Sequence, residues 1–453
     1  MMSGVGSVFR TTAMISLASS VLRTTSELPG AALPPQIKLC TRNRTLLLSS
    51  LRNLYYGWWI AIALAITETI SWGVVYYAYS VIITSLEGEF GWSRAQVTGA
   101  FSLALLIAGG MAVPVGYWLD HHGARWLMTA GSIAASLLMF AFSRVQTLTQ
   151  LYLVWIGLGI TAATILYEPA FVVVAKWFER RRSTALMVIT LAAGFASTIF
   201  LPLTARLLAL YGWRDAMAWL ALLLAVTTVP LHALVLRRSP ADVGQHVDGL
   251  PPVEHPYGAP AARRPSLTVG EVLRQPAFWW LAVALAIGSM AAIGIRVHII
   301  PFLEDRGYGA EYAAWIGGFI GAMQVFGRVL YAPTGGRFSS SFMVGMIFAL
   351  QAVAMAILYF THSAAGVWIF VILFGAVYGA TTLARPALLA DQFGSAHYGR
   401  ISSVQFVFQT LATTSAPYIV ALIYTAAGNS YQPALLVLIG LSLVAVAALR
   451  FGR

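Results

Sequence analysis

The stretch Tyr312–Arg337, YAAWIGGFIGAMQVFGRVLYAPTGGR, decides how the chain reads. From Ala313 to Tyr331 every residue is apolar or small except Gln324 and Arg328. Such a run suits a membrane-crossing helix, which takes about 20 mostly apolar residues. Gln324 and Arg328 stand four apart and so share one helical face. A guanidinium keeps its proton at any accessible pH. At membrane depth it costs about 2.5–3.5 kcal/mol on insertion scales. A charge held there normally faces a protein interior or a water cavity and meets an anion. The plainer reading is an arginine that snorkels to the cytoplasmic interface or pairs permanently with an internal carboxylate.

The rest of the chain supports a membrane reading. Mean hydropathy is +0.76. Charged residues make up 10% of the 453, against about 25% in a soluble domain. The net charge of +12 does not point to nucleic acid, because the basic residues sit in short connections between apolar runs. A single cysteine, Cys40, leaves no internal disulfide and no cysteine-based metal site.

Apolar segments near 57–83, 96–119, 124–144, 149–175, 183–209, 214–236, 278–302, 312–332, 341–360, 366–390, 400–424 and 433–449 predict twelve membrane helices. With the N-terminus inside, 20 of the 28 Lys and Arg fall in inside segments, 5 outside, and 3 within the membrane. That bias supports cytoplasmic N- and C-termini. Residues 237–277 hold Pro-Pro, Gly and both charge signs, and read as a cytoplasmic linker between an N-terminal bundle (53–236) and a C-terminal bundle (278–453).

The halves repeat. Glu168-Pro169-Ala170 matches Arg385-Pro386-Ala387, Gly116 matches Gly335, and Arg182 matches Arg400, at offsets of 217, 219 and 218. Parallel repeats of this kind imply two bundles with a binding site between them at the midplane. The expected fold is therefore an all-α polytopic membrane protein with two six-helix bundles. Residues 1–52 are rich in Ser, Thr and Arg, with Glu27 as their only acid. They resemble a transit peptide in composition and a signal peptide only weakly, and are read as a cytoplasmic, disordered extension.

Between helices 2 and 3 the chain reads Gly116-Tyr-Trp-Leu-Asp120-His-His-Gly123-Ala-Arg125. This resembles the G-x-x-x-D-x-x-G-x-R gating signature of the major facilitator superfamily. A narrower likeness is to monocarboxylate transporters and oxalate/formate-type antiporters. It rests on Tyr56-Gly57-Trp58-Trp59, Glu89-Phe-Gly-Trp92-Ser-Arg94, Trp177-Phe178-Glu-Arg180-Arg181-Arg182, Asp391-Gln-Phe393-Gly394 and Gly428-Asn-Ser-Tyr431. In that branch an arginine of helix 8 binds the substrate carboxylate, with a polar or acidic partner four residues earlier. The resemblance thus implies Arg328 and Gln324 as substrate ligands. Animal members often carry an aspartate where this chain has Gln324. They often carry a lysine in helix 1, where this chain offers Glu68.

Five full charges lie within the predicted helices: Glu68, Glu168, Arg296, Arg328 and Arg385. The resemblance makes helices 1, 4, 7 and 10 the cavity lining, and these carry Glu68, Glu168, Arg296 and Arg385, one each. All five charges, Arg328 included, sum to +1, which suits a monoanion, and protonation of a glutamate would admit a second negative charge. Glu68 sits about 16 Å into helix 1, near the bilayer middle. Desolvation there favours the protonated acid, so Glu68 is a candidate proton carrier, with Glu168 beside it in that role. A neutral glutamic acid bonded to a neighbouring helix is the structural alternative. Glu168 and Arg385 read either as an interdomain pair or as substrate groups. Arg296 either lines the cavity or snorkels outward.

Tyr76, Tyr378 and Gln405 add hydrogen-bonding handles for a carboxylate, whereas Tyr79 reads as an interfacial anchor. His298, lone near a helix end, reads as structural. No P-loop, G-x-G-x-x-G, H-E-x-x-H or nucleophile elbow occurs, so neither an enzyme nor a cofactor or metal is expected. The expectation is a monomeric multi-pass carrier of a bacterial inner or plasma membrane. It would move a small organic anion, a monocarboxylate, with protons. Carboxylate exchange is the next reading, followed by drug efflux, and a non-transporting sensor comes last.

Overall fold

The structure, a computed structural model, describes residues 55–249, 269–331, 338–393 and 398–451. The N-terminal extension and Gly335 lie outside the described residues. Among those described, eleven helices are long and apolar enough to cross a membrane. The longest, Arg182–Leu234, is broken at Gly212 (φ 76°, ψ 167°). Only glycine takes that backbone readily, and the break divides the run into two arms. The resulting twelve segments are α1 (Tyr56–Phe90), α2 (Arg94–His122), α3 (Arg125–Phe142), α4 (Leu148–Trp177), α5 (182–211) and α6 (213–234). They continue as α7 (Pro276–Asp305), α8 (Ala310–Tyr331), α9 (Ser340–Phe360), α10 (Ala364–Phe393), α11 (Tyr398–Ala426) and α12 (Gln432–Phe451). Each lies where the hydropathy pattern places a helix.

Local sequence explains the ends. Ser93 accepts from the backbone N–H of Gln96, while the Gln96 side chain accepts from the Ser93 N–H. That capping box starts α2. Thr147 and Gln150 do the same for α4. Helix α4 breaks at Leu166 (φ −93°, ψ −164°), so Pro169 falls in the first turn of its second piece, where its missing N–H costs nothing. Within α1, Trp72–Tyr77 form a π-helical segment. Within the expected linker, Val269–Arg274 is a short helix. Asp248 holds the backbone of Arg180 at 2.7 Å and Gln245 holds that of Tyr56 at 3.1 Å.

Two-sided packing follows from the apolar pattern. One buried cluster is built on α1–α6 around Phe101, Trp155 and Leu220. Two others are built mainly on α7–α12, around Phe374 and Leu435 and around Phe278 and Phe348. Between halves, α5 packs on α8, α2 on α11, and α1 on α7. Helix α8 can lie so close because it is glycine-rich. A Cβ on Gly321 would meet Ser197 Oγ of α5 at 2.1 Å, and one on Gly327 would meet Ala376 O of α10 at 1.9 Å. The small residues between Ala313 and Tyr331 therefore wedge α8 between one helix of each half.

Candidate functional site

Helix α8 brings Arg328 to the junction of the halves. Arg328 Nη1 donates to the Thr190 carbonyl of α5 at 2.9 Å. Gly194, one turn further along α5, leaves room for it: a Cβ there would stand 3.5 Å from Arg328 Nη1. Arg328 Nε is buried without a hydrogen-bond partner, and so is Gln324 Nε2. Gln324 itself is 4% exposed. Two N–H groups on one face of α8 thus lack an acceptor, a state that buried donors rarely keep.

Helix α1 supplies the opposite need. Glu68 is 0% exposed and both carboxyl oxygens are buried without a partner. The Trp72 indole lies close enough to act on the carboxyl, yet its N–H makes no well-formed hydrogen bond. Past Trp72 the π-helical turn presents Tyr76 and Tyr77. The Trp72 ring sits 5.2 Å from Tyr76 and 5.1 Å from Tyr167 of α4.

Arg296 does not snorkel. Its guanidinium lies 4.7 Å over the Tyr77 ring and 4.8 Å over the Tyr378 ring of α10, and it donates to the Tyr77 hydroxyl. Tyr77 feels the charges of both Arg296 and Arg328, and Tyr167 feels those of Glu68, Arg328 and Arg296. An aromatic cage thus holds Arg296, and Arg328 and Glu68 lie within electrostatic reach of its rings. Among the described residues, neither Arg296 nor Arg328 has a carboxylate within ion-pair distance.

From the sequence-predicted set, Tyr76, Arg296 and Tyr378 meet at this cage, Glu68 and Arg328 lie within electrostatic reach of its rings, and Gln324 lies one turn before Arg328 on α8. Glu168 is exposed and feels the charge of Arg385, whose guanidinium also lies 5.2 Å over the Phe406 ring. Gln405 is placed differently. It is 0% exposed and donates to Gln409, which in turn donates to Ser289 of α7 at 3.1 Å. Tyr79 is not an interfacial anchor. It is 2% exposed among Phe101, Phe142 and Trp155, and its hydroxyl donates to Val97 O. The Thr190 carbonyl was not foreseen, since no side-chain signal marks a backbone acceptor.

In the gating segment, Gly123 ends α2 at φ 81° and Arg125 Nε donates to Ala233 O of α6 at 2.8 Å. Gly116 faces open space, so close helix approach is not its role in this conformation. The Asp120 side chain lies outside the described residues.

Residues 61–417 match the Major Facilitator Superfamily. The chain belongs to that family. It is 26% identical to monocarboxylate transporter 13 of Bos taurus over 279 residues, 60% of each chain. It is 30% identical to monocarboxylate transporter 11 of Homo sapiens over 270 residues, 58% of this chain and 52% of that one. Against the oxalate:formate antiporter of Oxalobacter formigenes it is 24% identical over 367 residues, 79% of this chain and 82% of that one. The chain spans only about half to three fifths of the length of the monocarboxylate transporters it matches. Its fold is similar to that of a bacterial homologue of the human lysosomal transporter Spinster. The TM-score is 0.68 at 16% identity, covering 88% of this chain and 95% of that one.

Proposed function

We propose that this chain is a secondary transporter of a small organic anion of the monocarboxylate class, moved together with a proton by alternating access between its two bundles. One observation carries the reading: Arg328 Nε and Gln324 Nε2 are buried acceptor-seeking groups on one helical face, and among the described residues no carboxylate is paired to Arg328 or Arg296. A carboxylate of the substrate satisfies both groups and offsets the buried charge. Glu68, likewise buried and unpartnered, is the group suited to carry the coupling proton.

The similarity to monocarboxylate transporters and to the oxalate:formate antiporter supports an organic acid as cargo. Exchange of one carboxylate for another is the second reading. It is favoured by Arg296, a second cation, held in the aromatic cage. The test is uptake of labelled carboxylates into vesicles containing the purified protein, with and without an imposed pH gradient. Accumulation of a monocarboxylate driven by the gradient is expected. Counterflow indifferent to the gradient would transfer the case to exchange. No uptake of any carboxylate would overturn both.

A further inference from the structure

A second polar assembly lies far from Arg328 along the bundle, at the end that the charge bias places outside. Its centre is Arg94, the first residue of α2. Glu87, in the last turn of α1, grips it through two oxygens at 2.6 and 2.7 Å. From the other half, Asp305 at the end of α7 accepts from Arg94 Nη1 at 2.9 Å, and so does the Tyr431 hydroxyl at 3.0 Å. The guanidinium also lies 4.3 Å over the Tyr424 ring. Arg94 thus bridges the halves, with only 4% of its side chain exposed. These contacts latch that end shut.

His298 completes the assembly. Its Nε2 lies 2.8 Å from Pro417 O, and its Nδ1 lies 2.8 Å from the Tyr431 hydroxyl. A carbonyl oxygen can only accept, so Nε2 carries the proton of the neutral ring and Nδ1 is the acceptor. Tyr431 then donates to Nδ1, and its oxygen accepts from Arg94. Every hydrogen in the chain Arg94, Tyr431, His298, Pro417 has one assigned direction.

We infer that His298 is a proton-operated release for this latch: a proton arriving at Nδ1 breaks the relay and favours opening of the bundle at that end. The proton comes from bulk water and no covalent bond changes. With Nδ1 protonated, the Tyr431 oxygen can accept from both Arg94 and His298, but the Tyr431 proton loses its acceptor. An imidazolium also stands near the Arg94 guanidinium. Tyr431 before α12 and Arg94 of α2 act on the ring directly, and Arg94 in turn gathers Glu87 of α1, Glu304 and Asp305 of α7 and Tyr424 of α11. Both acids on Arg94 are already engaged by it, and none of the hydrogen bonds made by His298 goes to a carboxylate. The latched state therefore disfavours the charged ring, so acid shifts the population toward the unlatched one.

The test is a distance measurement on the full chain in nanodiscs. Spin labels go on cysteines at Gln146 and His362, exposed loop positions at this end in opposite halves, with Cys40→Ser in the background. At about pH 8 the short distance should dominate. At about pH 5 the ratio of long to short should rise on the order of tenfold. His298→Gln keeps an acceptor and a donor but cannot take the proton, so it should hold the short distance at both pH values. Tyr431→Phe removes the relay and should abolish the pH response. An unchanged wild-type distribution would overturn the inference. So would a wild-type response in His298→Gln, which would assign the effect to Glu87 or Asp305. Should His298→Gln fail to fold, a wild-type response in Tyr431→Phe has the same force.

Discussion

Replacing Arg328 with lysine keeps one positive charge and removes the fork. In the structure Nη1 is engaged with Thr190 O at 2.9 Å while Nε waits, buried, for an acceptor. Arginine can hold the α5 backbone and an anion at once, because its donors diverge in one plane. A lysine ammonium is a point donor on a flexible stem, and reaching the anion means leaving Thr190. Each hydrogen bond to a charged group is worth about 1.5–3 kcal/mol. Loss of one such bond raises the apparent substrate constant on the order of 10- to 100-fold. Insertion and expression should survive, since the charge and the close glycine contacts of α8 remain. Gln324→Ala removes a neutral donor worth about 0.5–1.5 kcal/mol, a roughly 2- to 12-fold effect. The assay is initial uptake rate against carboxylate concentration in reconstituted vesicles, with protein amount checked by blot. An uncharged amide analogue of the substrate should fail to compete. Wild-type-like uptake by Arg328→Lys, or effective competition by the amide, would show that the carboxylate is not read at Arg328.

Glu68→Gln should weaken proton-driven accumulation more than it weakens substrate exchange, because only net symport needs the proton carrier; equal losses in the two vesicle assays would make Glu68 structural or a substrate ligand. If Glu168 and Arg385 act as a pair, each single neutralisation strands a charge at a cost of roughly 3–5 kcal/mol where the pair is buried, and less in proportion to its exposure. The swap Glu168→Arg with Arg385→Glu should then recover expression or transport, and a swap as poor as well-folded singles would sink the pairing. Gly379→Ala places a Cβ 2.0 Å from Gln324 O, which should destabilise the α8–α10 contact by about 1–3 kcal/mol; an unshifted melting temperature of the purified protein would mean that the contact yields freely.

Much of this architecture is legible in the sequence because a bilayer leaves the chain few options. Every backbone group must be satisfied within a helix, so apolar length alone predicts the segments. The site was legible in part for the same reason: Glu68, Arg296 and Arg328 stand out as charges where charges are costly. What the sequence could not convey is how facing side chains meet. Tyr79 is a tyrosine near a helix end, the pattern of an interfacial anchor, and only packing against Trp155 shows it to be core. Gln405 shares a face with Gln409, yet that face turns to Ser289 rather than to Arg328. His298 is a lone histidine until α11 and the residue before α12 bring Pro417 and Tyr431 to its two nitrogens.

The π-helical turn of α1 explains why the cage forms there at all. A regular helix, at 100° per residue, already keeps Trp72 and Tyr76 on one face but turns Tyr77 roughly 140° away from Trp72. Widening the turn over Trp72–Tyr77 brings the three rings within 6.5 Å of one another, centroid to centroid. It also seats Gly73 against the Phe200 ring of α5, where a Cβ would stand 2.1 Å away. Insertions of this kind cost backbone geometry and recur at functional sites. Here the widened turn lies between Glu68 on one side and Arg296 on the other. A change that restored regular α-helix would rotate Tyr77 away from Arg296 and leave that guanidinium to Tyr378 of α10. Helix α1 therefore carries both Glu68 and the ring that holds Arg296.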